Sequence, residues 1–229
     1  MRFFLNNSFY TLSFIILFFL WIFGLYTFLG LYLLFFIVTA FLTRRISPHH
    51  QEDFLLKEGV FYAPVNGRIR SITPNVNHPK FGDDFIEVAM TISWIREAGV
   101  YLPTRSEVMD LSYKRGKTLF RYLFDLDHHS LAEYSGVFLK LKAVVSEREY
   151  GIQIIKCALG LWPQLRVIPG DRGRAQVNFG FLGLGGTVLL YLPAQYEILV
   201  KESQLTTAGQ TIIAARVDET INNDKKEEL

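Results

Sequence analysis

Few residues in this 229-residue chain combine the type and the spacing that chemistry requires. His128 and His129, with Asp125, Asp127 and Glu133 close by, invite a metal reading. Adjacent histidines point to opposite sides of a strand and diverge by about 100° on a helix, so one ion rarely takes both. The pair reads as a surface loop, and no metal site is expected. Cys157 is the chain's one cysteine and lies in the apolar stretch from Ile154 to Leu159. A lone cysteine makes no internal disulfide, which suits a reducing compartment, and this one reads as a buried core thiol rather than a nucleophile. Two glycine-centred runs remain: Ala63-Pro64-Val65-Asn66-Gly67 and Phe181-Leu182-Gly183-Leu184-Gly185-Gly186-Thr187-Val188. The first offers an amide at Asn66, which hydrogen-bonds without carrying charge, and the second a hydroxyl at Thr187.

A different chemistry is written between them. Lys114, Arg115, Lys117 and Arg121 interleave with Leu119, Phe120, Tyr122, Leu123 and Phe124. Basic charge beside exposed aromatics suits an interfacial segment that binds anionic lipid, and Lys114, Arg115, Lys117, Phe120, Arg121 and Phe124 are its candidate residues. The plainer alternative is a solvated face over an ordinary core segment. No nucleic-acid motif accompanies these charges.

The elements that would position these groups follow from the apolar pattern. Half of the residues are apolar, 20 of them Phe, and the formal charge is only +2. From Phe9 to Leu42 no charged residue occurs, a run well past the roughly 18 residues that mark a candidate span. It lacks the short core and small-residue cleavage site of a signal peptide. One straight helix over that run would exceed a bilayer's hydrocarbon core of about 30 Å even when tilted. Two shorter helices turning at Gly24 or Gly30 are the preferred reading, and one long span is the alternative. Arg2 before the run and Arg44 and Arg45 after it place both flanks on the cytoplasmic side by the positive-inside rule. The expected organisation is a membrane anchor over 1–46, one β domain over 47–218, and a charged, disordered tail over 219–229.

Within the domain, strands are expected over Gly59–Pro64, Arg68–Ile72, Phe85–Met90, Val137–Lys142, Gly151–Ile155, Thr187–Leu192, Glu197–Val200 and Thr207–Ala214. Asn66-Gly67 reads as the turn between the first two. Short strands at this spacing argue a mainly β sandwich or barrel-like core. The stretch from Lys117 to Leu126 is too densely apolar to alternate, and reads as a short helix or a surface loop.

Taken in order, the motifs resemble those of the phosphatidylserine decarboxylases. Leu184-Gly185-Gly186-Thr187 resembles that family's Leu-Gly-Ser-Thr self-cleavage site, and Ala63-Pro64-Val65-Asn66-Gly67 its Ala-Asp-Gly turn. Val100 to Val108 resembles its histidine-containing stretch, Gly173-Arg174 the Gly-Arg before the cleavage strand, and Thr207 to Ala214 its closing strand. The resemblance implies an enzyme whose serine attacks the preceding glycine carbonyl, breaks the chain and leaves a pyruvoyl group as electron sink. It also implies that Gly186 stands where the family has serine and Asn66 where it has aspartate. Ala98 and Tyr101 stand where it has histidine, and neither is a base near neutral pH. The expectation is a catalytically inactive relative without a pyruvoyl group or other cofactor, placed at the cytoplasmic face of the inner membrane. It would bind membrane phospholipid, and would regulate or scaffold a protein partner or form a homo-oligomer. The alternative is a working decarboxylase of phospholipid synthesis. Two other glycine-rich β families are excluded by residue type: lysostaphin-type peptidases need a His-x-His pair, and lipoyl carriers need a lysine at the hairpin tip.

Overall fold

The computed structural model describes residues 2–3, 7–42, 44–45, 59–92, 97–116, 134–157 and 160–216. It divides into two compact units, 1–47 and 48–229.

In the first unit a strand β1 (Arg2–Phe3) precedes helices α1 (Asn7–Ile22) and α2 (Tyr26–Leu42), and β2 (Arg44–Arg45) follows them. β1 and β2 pair antiparallel, which brings the two ends of the helix pair together. Gly24 adopts φ +68 in the link, a left-handed conformation that glycine tolerates without a Cβ penalty. The helices run antiparallel: Phe36 makes ring contacts with Phe9, Tyr10 and Phe14, and Tyr32 Oη donates to the buried Ser13 Oγ at 3.2 Å. Phe14, Phe18, Trp21, Phe28, Leu31 and Phe35 stay exposed, so both helices are apolar on their outer faces as well. The expected pair of helices and its turn at Gly24 are therefore present. At 16 and 17 residues, however, no helix among the described residues is long and apolar enough to cross a membrane.

The second unit is built from strands alone among its described residues. β3 (Val60–Tyr62), β4 (Gly67–His78), β5 (Gly82–Ile92) and β6 (Gly99–Tyr101) come first. β7 (Ser106–Lys114), β8 (Gly136–Ala143), β9 (Glu149–Lys156) and β10 (Gln164–Leu165) follow. β11 (Arg172–Gly173), β12 (Asn178–Phe181), β13 (Gly186–Pro193), β14 (Tyr196–Ile198), β15 (Leu205–Thr206) and β16 (Ile212–Arg216) complete the set. One antiparallel sheet runs β11-β7-β8-β9-β13-β5-β4-β15, and two three-stranded sheets run β10-β12-β6 and β14-β16-β3.

Strand alternation explains the core. Val188 and Leu190 of β13 sit level with Met90 and Val88 of β5 and with Ile154 and Ile152 of β9, all fully buried on one face. The opposite face mixes Ala89 and Leu189 with Glu87, Gln153 and Tyr191, and the tip of the β4–β5 hairpin folds down onto it. There Phe81 packs with Phe138 and Tyr191, and His78 stacks on Phe81 with centroids 4.3 Å apart. Burial, reinforced by the charges of Lys80 and Lys114, lowers the His78 pKa to about 4, so the ring is neutral at physiological pH. Burial also pushes the Tyr191 phenol well above its ordinary value, and the neighbouring Glu87 adds to the shift.

One local expectation is corrected. Asn66-Gly67 is not the tip of a hairpin, because β3 pairs with β16 while β4 pairs with β5, in different sheets. The segment is a corner that carries the chain from one sheet to the other. A Cβ on Gly67 would collide with the Thr91 carbonyl, and that close approach accounts for the glycine.

Candidate functional site

Three separated segments meet at one end of the β domain, and backbone bonds hold them there. Val65 in the Ala63–Gly67 corner bridges Val100 of β6, and Tyr101 N donates to Pro64 O at 2.8 Å. β6 pairs on its other side with β12, setting Asn178 against Tyr101 and Phe181 against Gly99. Leu182 N, just past β12, donates to Ala98 O at 2.9 Å. The corner with Asn66, the segment with Ala98 and Tyr101, and the turn before Gly186 are thus consecutive neighbours, although they lie far apart in sequence.

Asn66 Oδ1 accepts from Ala208 N at 3.0 Å, so it closes the corner onto the loop after β15. Ala98 is buried and carries no functional group. The buried Tyr101 hydroxyl donates to Glu97 Oε1, and Glu97 is itself only 2% exposed. Above Gly99 the carboxylate and Asn178 Nδ2 share one small space, each 2.8 Å from where a Cβ would stand. The sequence gives no local sign of this buried acid. It sits beside an apolar run in which any charged residue would be expected to face water.

Gly186 begins β13 after a tight turn. Leu184 has φ 61 and Gly185 φ 83, both left-handed, and Gly185 N donates to Leu182 O at 3.1 Å. A Cβ added to Gly186 would stand 2.6 Å from Leu182 Cδ2 and closer still to the Ile155 carbonyl of β9. The wall has closed on the position. Thr187 is buried and paired in register with both Thr91 and Ile155, so its backbone is committed to the sheet. The Cys157 thiol is buried and donates to Leu184 O at 3.6 Å, a packing contact beneath the turn.

Of the lipid-binding candidates, Lys114 and Arg115 are exposed at the end of β7. The register Lys114–Gly136–Ile155–Thr187 places them at the same end of the large sheet as Gly186. Lys117, Phe120, Arg121 and Phe124 lie outside the described residues, as do the segment from Lys117 to Leu126, the His128-His129 pair and the charged tail. Among the described residues no group of three or more histidine, cysteine or carboxylate side chains could hold a metal ion.

No family model matches the chain, and no solved structure matches it. Curated proteins do. A phosphatidylserine decarboxylase proenzyme of Chlorobaculum tepidum is 26% identical over 160 residues, 68% of this chain and 69% of that protein. One of Bacteroides fragilis is 26% identical over 161 residues, 69% of this chain and 67% of its own length. One of Chlorobium phaeobacteroides is 27% identical over 161 residues, again 69% of this chain and 71% of that protein. These matches, all to proteins of one name, join the ordered motifs that meet in space: the chain is similar in sequence to the phosphatidylserine decarboxylase proenzymes over about two thirds of its length.

Proposed function

We propose that this chain is a family member that does not cleave itself and that faces membrane phospholipid as a binding, regulatory or scaffolding protein. One observation carries the reading: a side chain has no room at Gly186, the residue that motif resemblance sets where the family has its reactive serine. Gly186 has no hydroxyl with which to attack the Gly185 carbonyl and no β leaving group, so the residues present do not fit a pyruvoyl group. Asn66 and Ala98 add no base or anion to replace what is missing. Thr187 is the one hydroxyl adjacent, and a one-residue shift along a strand turns its side chain to the opposite face.

The membrane side of the proposal rests on the first unit. Two antiparallel helices with exposed Phe, Leu and Trp on their outer faces suit lipid better than water, and the arginines at both flanks suit a hairpin with both ends on the cytoplasmic side. The β domain then works at that membrane face, with the exposed Lys114 and Arg115 turned to anionic headgroups.

The second reading is an active phosphatidylserine decarboxylase, and the names of the curated relatives favour it. A mass spectrum of the purified chain under denaturing conditions separates the two. A single species near 26.4 kDa that releases no carbon dioxide from phosphatidylserine supports the proposal. Two fragments divided at Gly185-Gly186 or Gly186-Thr187, with release of carbon dioxide, replace it by the second reading.

A further inference from the structure

We propose that the end of the β domain bearing Leu161, Trp162 and Leu184 docks onto an anionic lipid bilayer, with Lys156, Lys114 and Arg115 beside it reaching for headgroups. The inference rests on the membrane-facing reading above and names the surface that would make the contact.

Leu161, Trp162 and Leu184 are 49%, 38% and 38% exposed. They come from two loops that are fastened together: Leu161 N donates to Gly183 O at 3.1 Å, and a Cβ on Gly183 would stand 2.8 Å from Leu161 Cδ1. Leu184 is held outward in a left-handed conformation that costs a non-glycine residue roughly 1 kcal/mol. A leucine kept there, exposed and strained, is poorly explained by packing. Single exposed apolar residues are ordinary on protein surfaces; three large ones on one fixed rim, including a tryptophan, mark a contact surface.

Charge selects the occupant. Lys156 is level with Gly186 in the sheet, and its ammonium donates to Gly160 O at 3.3 Å, which sets it next to Leu161. Lys114 and Arg115 end β7 two strands from Lys156, about 10 Å at the usual strand spacing. Arg172, paired with Glu107 at the other end of β7, takes no part. Apolar tips flanked by cations fit shallow insertion at an anionic lipid interface, where headgroup attraction and acyl burial act together. Neither a neutral ligand nor a basic partner would use both features.

Trp162 is its own reporter. The full chain with Trp21→Phe and Trp94→Phe is reconstituted in vesicles of phosphatidylcholine with phosphatidylglycerol, some carrying bromine on the acyl chains. The expected result is a roughly two-fold loss of Trp162 emission in brominated vesicles, largely abolished by Leu184→Ser and weakened by Lys156→Glu. A companion chain that keeps only Trp21 reports on the helix pair. Trp21 quenched while Trp162 emits unchanged overturns the docking surface and leaves the membrane anchor standing. Neither residue quenched overturns both. Equal quenching of Trp162 in pure phosphatidylcholine and in the Lys156→Glu chain overturns the assignment of anionic lipid.

Discussion

Gly186→Ser restores the side chain that the family's chemistry would need, and the fold should resist it. The serine Cβ would lie 2.6 Å from Leu182 Cδ2, where real Cβ contacts almost never fall below 3.0 Å, and nearer still to the Ile155 carbonyl. Leu182 is fully buried, and Ile155 belongs to a strand paired on both sides, so neither neighbour withdraws cheaply. Forcing extra atoms into a packed core costs typically about 1–3 kcal/mol. For a chain of this size that lowers the melting temperature by roughly 3–10 °C. Gly183→Ala is the milder comparison: its Cβ would stand 2.8 Å from the tip of the half-exposed Leu161, which can turn aside, and 3.1 Å from the buried Phe181 ring, so the cost should stay at about 1 kcal/mol or below. Thermal unfolding of the two variants, with a denaturing mass spectrum of the serine chain, tests the pair. A serine variant that melts with the wild type, or that divides into two fragments, would refute the claim that the position has closed.

Acid should weaken the β domain through His78. Its folded pKa of about 4 lies below the ordinary 6.5, so the unfolded chain binds the extra proton between those values; stability is complete above pH 6.5 and falls toward pH 4. The loss should reach about 2 kcal/mol after solvent screening, and a pH series of urea midpoints in which His78→Gln has the same acid slope as wild type contradicts it. Asn66→Ala removes the acceptor for Ala208 N and should cost about 1 kcal/mol, whereas Asn66→Asp keeps an acceptor and should stay near wild type at pH 7. Alanine and wild-type chains with equal urea midpoints would contradict the structural role assigned to Asn66.

Periodicity and turn residues made the large sheet legible in outline. Thr187 to Leu192, Val137 to Lys142 and Gly151 to Ile155 are runs whose only good solution is burial on at least one face, and they became central strands. The strand from Ser106 to Lys114 was not legible, because Glu107, Asp110 and Lys114 interrupt its pattern and it is half exposed along β8. Asn66-Gly67 misled for a related reason: the dipeptide announces a turn, while the partners of the flanking strands are fixed by contacts distant in sequence. The site shows the same division. The ordered motifs singled out Asn66, Ala98, Tyr101 and Gly186, whose segments the fold sets side by side. That Asn66 serves Ala208, that Tyr101 meets a buried Glu97, and that Leu182 fills the space over Gly186 depend on long-range packing, which no local pattern records.

The order of strands has a consequence for how this fold could be divided. β13 sits between β5 and β9, β15 rests on β4, and β16 rests on β3, so three of the four strands from Gly186 onward are bordered by one from before it, and β14 is tied in through β16. The long part before Gly186 and the short part from it onward are two interlocking pieces joined by a single turn. Expressed as separate polypeptides, they should find each other and rebuild the eight-stranded sheet by complementation.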